Sequence, residues 1–340
     1  MQGALETPLG RVPKVSSGLS LTDRVDGCKV RWGIRRYDYA LVPGVYALGE
    51  PNEESPVLVT ANYKLSFDAL RRELAGIDAW LLSLDTNGIN VWCAAGKRTF
   101  GTETLVRALN SLELARLVKH RRLILPQLGA PGVAAHEVKR QTGFEVKWGP
   151  VQASDLPDFL NNGGKLQPGM RLMEFPLAAR AVLVPMELVP ALKYGLPLAA
   201  FLMLLAGLLG HGSFGQAVWG PGLFMAGAIA WAALAASVGG PLLLPWLPGR
   251  AFSAKGAGLG LAAAALYLTL WRTEPLLAWS GFLVIPAVCS FCLMNFTGAS
   301  TFTSLSGVKR EMRIAVPLQI AGMALGLVLW FWALFTYGGV

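Results

Sequence analysis

The sequence predicts two parts: an α/β Rossmann-like domain built on a parallel sheet, followed by an all-α transmembrane domain of five helices. Of the 30 Lys+Arg and 21 Asp+Glu residues in the chain, only 6 and 2 lie after residue 193. Short apolar runs alternate with helix-like stretches in the first part, whereas long apolar windows fill the second. We therefore expect a cytoplasmic domain over residues 1–168, a connector over 169–192 and a transmembrane domain over 193–340.

Four apolar runs in the first part are predicted to be strands. Each is followed by a stretch with helical periodicity, and this alternation favours a parallel sheet with helices on both faces. Ser66 is a suitable N-cap for the first helix, and Pro131 suits the first turn of the third. Residues 31–46 are interpreted as an extra strand or hairpin packed on the sheet. The predicted strands are 57–60, 79–84, 123–126 and 144–148, and the predicted helices are 66–74, 99–117, 131–141 and 154–161.

Small and polar residues follow the ends of these strands. Ligands of open parallel sheets bind beyond the carboxyl ends of the strands, so these residues are candidates for lining a cofactor site. The same residues would also serve as ordinary turns, and at any one position taken alone the turn interpretation is favoured. The candidates for cofactor binding at these ends are Thr60, Asn62, Thr86, Gln127 and Gly129.

Five windows in the second part are apolar enough to cross a bilayer, which takes roughly 20 helical residues. Lysine and arginine are concentrated in alternate connections, near Lys193, at residues 250–255 and at residues 309–313. The positive-inside rule then predicts a multi-pass inner-membrane protein whose soluble part faces the cytoplasm. Residues 1–14 lack the apolar core of a signal peptide, which agrees with that location. The windows are 190–210, 217–238, 256–273, 276–297 and 314–337.

The predicted spans contain almost no ionisable residues. Ion paths through membranes are marked by buried ionisable groups, so this scarcity favours an anchor that also packs a partner over a transporter. Cys289 and Cys292 lie at i, i+3, on nearly one helix face. Two thiols at that spacing could capture a thiophilic metal such as Hg(II), although small residues at a helix–helix contact are the commoner explanation.

Several classes of site are disfavoured because their motifs are missing. The sequence has no zinc-ligand spacing, no Walker loop and no iron–sulfur run. The net charge of +9 fits anionic lipid headgroups and an acidic partner better than nucleic acid, for which no motif is present. Four cysteines, of which only two are close in sequence, do not form a disulfide framework in a reducing cytosol. His120 lies in a basic cluster and His136 on a predicted helix, and neither has a second ligand nearby in sequence.

Cys93 has two interpretations. A lone cysteine beside Trp92 and two alanines is most often a small buried hydrophobe. Three features point instead to a thiolate that binds a metal. Cys93 follows the carboxyl end of the second strand, it comes at or just before a helix N-terminus, and Lys97 and Arg98 follow closely. Positive charge and free N–H groups at such a position favour the anionic form of the sulfur.

Residues 90–97 read Asn-Val-Trp-Cys-Ala-Ala-Gly-Lys. This octapeptide resembles the signature of the corrinoid protein of the mercury-methylation pair of anaerobic bacteria and archaea. A wider region, roughly residues 40–165, resembles the corrinoid domain of the large subunit of the corrinoid iron–sulfur protein of the acetyl-CoA pathway, mainly through residues 56–68, 96–102 and 128–132. The cysteine in the octapeptide and the five-span tail separate this chain from that subunit and are typical of the mercury-methylation protein.

The resemblance implies a cobalamin-type corrinoid cofactor and a methyltransferase activity. In the family, the octapeptide forms the start of a cap helix under the corrin, and Cys93 would bind cobalt as its lower axial ligand. A methyl group on the upper face would come from the methyl-tetrahydrofolate pathway and pass to Hg(II), giving methylmercury. A small membrane-associated, ferredoxin-like protein with two 4Fe–4S clusters would return electrons to cobalt. The cofactor-binding residues so implied are Asn90, Val91, Trp92, Cys93, Ala94, Ala95, Gly96 and Lys97, with Cys93 also catalytic.

A thiolate ligand suits this chemistry. Hg(II) is an electrophile, so the methyl group must leave with electrons, and a strongly donating sulfur trans to it pushes electron density toward it, as cysteine does on haem iron. The Asp-x-His-x-x-Gly stretch by which many cobalamin domains supply histidine is missing here. The sequence thus predicts a membrane-anchored corrinoid methyltransferase acting on Hg(II). Two alternatives stay open: the same chemistry on another acceptor, and a membrane corrinoid or metal transport component in which Cys93 only holds cargo.

Overall fold

The computed structural model of the chain describes residues 3–36, 38–296 and 305–336, without the side chains of residues 305 and 306. The chain divides into two compact units. Unit 1 takes in the residues up to 30 together with residues 34–174, and unit 2 takes in residues 31–33 and the residues from 175 onward. The two units are described separately below.

Unit 1 is built on a seven-stranded sheet. Its strands are β1 (Ala4–Thr7), β2 (Gly10–Val15), β3 (Gly44–Leu48), β4 (Val57–Ala61), β5 (Ala79–Leu84), β6 (Arg122–Leu125) and β7 (Glu145–Trp148). Their spatial order is β1-β2-β3-β5-β4-β6-β7. Strands β5, β4, β6 and β7 run parallel to one another. β4 and β5 are buried along their whole length, as expected for central strands covered on both faces.

The sheet as a whole is mixed, although the four strands predicted from the sequence, β4, β5, β6 and β7, are parallel to one another as expected. β1 pairs with β2, and β3 pairs with β5, in antiparallel orientation. The connection from β3 to β4 spans only residues 49–56. Parallel strands need a crossover of about a dozen or more residues, so β3 has to run opposite to β4 and therefore opposite to β5.

Six α-helices accompany the sheet: α1 (Leu21–Arg31), α2 (Lys64–Arg72), α3 (Val91–Gly96), α4 (Thr102–Ser111), α5 (Ala135–Thr142) and α6 (Leu156–Asn161). Ser66 is not the N-cap of α2, because the helix already begins at Lys64 after Tyr63. The predicted helix at 131–141 begins at Ala135, and a 3₁₀ turn occupies Gln127–Gly132 before it. The hairpin β1–β2 and helix α1 were not predicted.

The sheet separates two hydrophobic clusters. One contains Val59 and Ala61 of β4, Leu82 and Leu84 of β5, and residues of α3 and α4. The other contains Leu58 of β4 and residues of α2 and α6. Because successive side chains of a strand point to opposite faces, burial on both sides accounts for the continuous apolar character of β4 and β5.

Among its described residues, unit 2 contains five helices that are long and apolar enough to cross a membrane, which agrees with the number predicted from the sequence. We call them apolar helices 1 to 5; they are Leu177–Leu209, Phe214–Leu243, Phe252–Leu270, Pro275–Asn295 and Gly307–Thr336. Apolar helix 1 begins inside the stretch predicted as a connector. Apolar helix 2 continues past residue 238, the end of the predicted window, by way of a π-helical turn at Ala235–Gly239.

Small residues bring apolar helices 3 and 4 close together. A Cβ atom on Gly256 would lie 2.6 Å from the carbonyl oxygen of Cys289, and one on Gly260 would lie 2.5 Å from the Cα of Pro286. Some buried polar side chains in this unit donate to backbone carbonyls: the Trp330 indole donates to the carbonyl of Pro221 at 2.9 Å, and the Tyr267 hydroxyl to that of Phe224 at 2.7 Å. Close packing and internal hydrogen bonding of this kind are what helices need in lipid.

Candidate functional site at the carboxyl edge of the sheet

Helix α3 lies at the carboxyl edge of the sheet. It follows β5 through the turn at residues 85–90, and α2 follows the neighbouring strand β4. Because β4, β5 and β6 are parallel, the segments that leave their carboxyl ends meet at the same edge. The octapeptide of residues 90–97 is therefore placed where ligands of α/β sheets bind.

Asn90 is the N-cap of α3. Its backbone is extended, and its side-chain oxygen accepts a hydrogen bond from the backbone N–H of Cys93 at 2.9 Å. Cys93 is consequently the third residue of the helix, in its first turn. The capping role of Asn90 was not predicted from the sequence. Asparagine directly before a helix is nevertheless a recognisable N-cap signal.

The side chain of Cys93 is partly exposed, whereas its neighbours Ala94 and Ala95 are buried in the cluster beneath α3. Helix α3 thus packs on the sheet through its alanines and turns its cysteine away from the core. Among the residues that the structure describes, none forms a hydrogen bond with the Cys93 Sγ. This placement argues against the interpretation of Cys93 as a small buried hydrophobe.

Asn62 and Thr86, both predicted to bind cofactor, are buried and bonded to each other. The Asn62 Oδ1 accepts hydrogen bonds from the backbone N–H groups of Thr86 at 3.0 Å and Gly88 at 3.1 Å. The Thr86 hydroxyl lies 2.7 Å from the carbonyl oxygen of Ile89. These residues shape the turn that leads into α3, so the structure gives them a positioning role behind the octapeptide.

Thr60 lies within β4 rather than beyond its end, and it is paired in register with Ser83 of β5. Its neighbours Val59 and Ala61 belong to the cluster under α3. Since side chains alternate along a strand, Thr60 points to the opposite face of the sheet. The structure therefore does not bring Thr60 together with Cys93.

The segment after β6 packs against the octapeptide. A Cβ atom on Gly129 would lie 2.5 Å from the Phe100 ring, and one on Gly132 would lie 3.0 Å from the Cα of Ala95 and would also overlap the carbonyl oxygen of Phe100. Gly129 is thus required by packing on Phe100. Gln127, the first residue of this 3₁₀ turn, is partly exposed at the same edge.

Gly96 and Lys97 end α3 on its exposed side. A Cβ atom built on Gly96 meets nothing within 4 Å, so the packing of the described residues does not require glycine there. Lys97 closes the helix through its backbone N–H, which donates to the carbonyl of Cys93 at 3.1 Å. Val91 is buried beside the alanines, and Trp92 is partly exposed.

A charged network binds α1 to α2. The Asp23 carboxylate accepts from Lys64 at 2.6 Å and from Arg71 at 2.9 Å, and the Asp68 carboxylate accepts from the same two side chains at 2.7 Å each. Burial by itself would raise the pKa of Asp23, but hydrogen bonds from Lys64, Ser20 and Arg71 outweigh it. The pKa of Asp23 consequently lies well below its ordinary value of 3.8.

The other predicted metal-binding and histidine candidates have contacts of their own. The Cys289 Sγ is buried and donates to the carbonyl of Ala232 at 3.2 Å, which is a helix-packing contact, and Cys292 is partly exposed on the same helix. His120 Nε2 lies 2.9 Å from the carbonyl oxygen of Ser55, and His136 is exposed beside Glu137. In the described part of the chain, no group of three or more His, Cys, Asp or Glu side chains could hold a metal.

Part of the chain is similar to subunits of the acetyl-CoA decarbonylase/synthase complex and to a corrinoid/iron-sulfur protein. Residues 37–160 match the family described as CO dehydrogenase/acetyl-CoA synthase delta subunit. The acetyl-CoA decarbonylase/synthase complex subunit gamma of Methanopyrus kandleri is 35% identical over 127 residues, which cover 37% of this chain and 27% of the relative. The corrinoid/iron-sulfur protein large subunit of Moorella thermoacetica is 35% identical over 114 residues, which cover 33% of this chain and 25% of that protein.

The family match lies in the α/β part of the chain. The chain spans about a quarter of the length of these curated relatives. The matched region contains the carboxyl edge of the sheet, helix α3 and Cys93, but it contains neither the hairpin β1–β2 nor the apolar helices. The family match therefore covers most of unit 1 and none of unit 2.

Proposed function

We propose that the α/β unit binds a corrinoid and that Cys93 is the lower axial ligand of its cobalt. One observation carries this proposal: a partly exposed cysteine, without a hydrogen-bond partner among the described residues, lies on a capped first turn at the carboxyl edge of the sheet. Homology of the same region to a corrinoid/iron-sulfur protein supports this choice of cofactor. A thiolate is also the kind of soft ligand that a transition metal accepts.

The residues of α3 fit a broad ligand above the helix. Gly96 lies three residues after Cys93 on the exposed side of the helix, and nothing among the described residues would contact a side chain there. Glycine in a helix is less favourable than alanine by about 1 kcal/mol. Packing within the fold does not explain a glycine at this position. A ligand that approaches the backbone closely would explain it.

Each residue around Cys93 then has a definite task. Asn90 uses its side-chain oxygen to hold the backbone of Cys93, and Asn62 holds the turn before it. Ala94 and Ala95 anchor the helix on the sheet. When bound, the corrinoid would supply a cobalt-carried methyl group for transfer. Cys93 would hold the cobalt through its thiolate, which is a strongly electron-donating ligand.

Inorganic Hg(II) is the acceptor that we propose, with methylmercury as the product. This part of the proposal is supported by the resemblance of residues 90–97 to the signature of the mercury-methylation protein, and by the five apolar helices that follow the α/β unit. We propose that these helices anchor the enzyme in the cytoplasmic membrane. A ferredoxin-like partner that returns electrons, and methyl-tetrahydrofolate as the source of the methyl group, complete the proposal.

The test compares the full-length protein with its Cys93→Ala and Cys93→His variants, each reconstituted with corrinoid under anaerobic conditions. Cys28→Ala is the matched control, because Cys28 is an exposed cysteine on α1, outside the octapeptide. The absorption spectrum reports the axial ligand, and methylmercury formation from Hg(II) reports activity. We expect Cys93→Ala to lose both the sulfur-ligated spectrum and the activity, and Cys93→His to retain cofactor better than activity.

Parent-like spectra and rates in both Cys93 variants would contradict the axial role of the sulfur. A third outcome would separate the two parts of the proposal. If Cys93→Ala loses the sulfur-ligated spectrum but the parent transfers its methyl group only to an acceptor other than Hg(II), the corrinoid site is supported and Hg(II) is refuted as the substrate. Cys289→Ser/Cys292→Ser addresses the transport alternative: lost metal uptake by cells with unchanged methyl transfer by purified protein would favour a transport component.

A further inference from the structure

Helix α1 presents a row of apolar side chains to the outside of unit 1. Leu21 is 78% exposed, Val25 is 44% exposed, and Cys28 is exposed as well. Residues spaced by four and then three positions align along one face of a helix. We call Leu21, Val25 and Cys28 the outer ridge of α1. Exposed apolar side chains that form a continuous row mark a surface that contacts lipid or another protein.

The opposite face of α1 holds the helix to the rest of unit 1, largely through charge. Asp23 lies on that face and accepts from Lys64 at 2.6 Å and from Arg71 at 2.9 Å. Gly27 and Val30, on the same face, are buried. In a helix that only packs on a globular domain, the apolar stripe faces the core and the charged residues face water. The fold of unit 1 therefore does not account for the outer ridge.

Cationic side chains flank the outer ridge on both sides. Successive residues of a helix are about 100° apart, which places Arg24 on one side of the ridge and Lys29 on the other, and both are exposed. Lys29 pairs with Asp26 at 3.3 Å, whereas Arg24 forms no ion pair among the residues that the structure describes. Ile34 and Arg35, which follow α1 in the same unit, are exposed too. Apolar side chains and an excess of positive charge thus share this surface.

We propose that the outer ridge of α1 binds an anionic phospholipid surface. The three side chains of the ridge would enter the boundary between headgroups and acyl chains, and Arg24, Lys29 and Arg35 would lie among the lipid phosphates. An apolar ridge with flanking cations is the arrangement of a helix that lies in the plane of a membrane. The inference rests on the proposed membrane anchoring by the five apolar helices. Such an anchor tethers α1 to a bilayer, so that even a short helix binds it at high effective concentration.

Binding of α1 to lipid would orient unit 1. Helix α1 is bonded to α2, which packs on one face of the sheet through Phe67 and Leu70. Helix α3 packs on the other face through Ala94 and Ala95. A bilayer in contact with α1 would therefore lie on the α2 side of the sheet, and the side that carries Cys93 would stay open to molecules from solution.

The experiment uses the full-length protein in nanodiscs of phosphatidylcholine, with or without phosphatidylglycerol. Cys28 carries a nitroxide label after the other three cysteines are replaced by serine. Collisions of the label with oxygen, which dissolves in hydrocarbon, are compared with collisions with a water-soluble nickel chelate. The reference is the same label on His136→Cys, with Cys28→Ser, because His136 is exposed on α5 and α5 packs on the α3 side of the sheet through Val138.

With phosphatidylglycerol present, we expect the label on Cys28 to collide mainly with oxygen and the reference label mainly with the nickel chelate. Phosphatidylcholine alone should give a smaller lipid-bound fraction of the Cys28 label. Leu21→Asp/Val25→Asp and Arg24→Ala/Arg35→Ala should each reduce that fraction about fivefold or more, since even one lost cation weakens attraction to an anionic surface by about that factor. All four replaced side chains are exposed or partly exposed, and the melting temperature checks that each variant is folded.

Lys139→Ala/Arg140→Ala is the matched control for charge. It removes two exposed cations from α5, on the other side of the sheet, and should leave the Cys28 label in lipid. Equal effects of the two charge variants, or equal lipid contact with and without phosphatidylglycerol, would overturn the proposal.

Two further outcomes would assign the outer ridge to another partner and would overturn the proposal as well. One is burial of the Cys28 label only after an acidic ferredoxin is added, and the other is burial only as the protein concentration rises, which indicates a second copy of the chain. Failure of the parent to insert into nanodiscs would refute the membrane anchoring itself. An inserted protein whose Cys28 label stays accessible to the chelate would refute the lipid contact alone.

Discussion

The side-chain oxygen of Asn62 accepts a hydrogen bond from the backbone N–H of Thr86 at 3.0 Å. Asn62 follows β4 and Thr86 follows β5, so the end of one strand holds the turn that leaves its neighbour. The same oxygen accepts from Gly88, and the Asn62 backbone N–H donates to the carbonyl of Leu84 at 2.9 Å. The position of α3, and hence of Cys93, depends on this buried amide.

Replacement of Asn62 by alanine should disorder the approach to α3. The substitution leaves the buried N–H group of Thr86 unpaired, at a cost of about 1–3 kcal/mol, and it also removes the acceptor of the partly exposed Gly88 N–H. We expect a lower melting temperature together with weaker corrinoid binding, both measured on the full-length protein.

Asn110→Ala is the control for this change, because Asn110 is an exposed asparagine on α4. It should leave both quantities unchanged. Unaltered corrinoid affinity in Asn62→Ala would show that the network does not position the cofactor site.

Replacement of Asn90 by alanine should loosen the first turn of α3. Loss of an N-cap costs about 0.5–2 kcal/mol, and here the lost bond is the one made to the backbone N–H of Cys93. We expect a reduced fraction of the sulfur-ligated spectrum at subsaturating corrinoid. Asn90→Ser retains a capping oxygen and should restore most of that fraction; if serine and alanine behave alike, the cap is not what holds the ligand.

Two glycines near α3 should respond oppositely to alanine. Gly132→Ala places a Cβ atom against Ala95 and the carbonyl of Phe100, and such overpacking costs about 1–3 kcal/mol. Gly96→Ala meets no described atom within 4 Å and should stabilise the cofactor-free protein by up to about 1 kcal/mol.

The contrast in stability is measured by thermal unfolding without cofactor. Corrinoid titration then distinguishes an effect on stability from an effect on the binding site. Gly96→Ala should weaken corrinoid binding although the variant protein is more stable. Tighter or unchanged binding in Gly96→Ala would mean that the cofactor does not approach this face of the helix.

Acid should weaken the attachment of α1. The pKa of Asp23 is held below its ordinary value of 3.8 by its cationic and hydroxyl partners. The stabilisation is therefore complete above that value and is lost as the pH falls toward the lower pKa of the folded state. Hydrogen exchange of the α1 amides in the full-length protein should accelerate as the pH falls below about 4, after correction for the intrinsic pH dependence.

Asp23→Asn is the control for the acid effect, since it keeps an oxygen acceptor without a titrating charge. Its corrected exchange should be faster than that of the parent near neutral pH and should change less in acid. An equal acid response in the two proteins would assign the effect to another carboxylate.

Local patterns were sufficient for much of this molecule. Continuous apolar runs located β4 and β5, long windows located five apolar helices among the described residues, and the order of residues placed Cys93 after the second of these strands, at or just before a helix N-terminus. These features depend on short-range periodicity and on the length needed to cross a bilayer. They can therefore be predicted from the amino-acid sequence alone.

Contacts between residues that are distant in the sequence could not be predicted from such local patterns. The antiparallel direction of β3, the side of the sheet on which Thr60 lies and the bonding of Asn62 to the turn at Thr86 all join segments that are far apart in the chain. A strand does not reveal its neighbour, and a polar residue at a strand end reads equally as a turn or as a ligand contact. Only the tertiary structure distinguished the turn interpretation from the ligand interpretation, because burial and hydrogen-bond partners are properties of the assembled sheet.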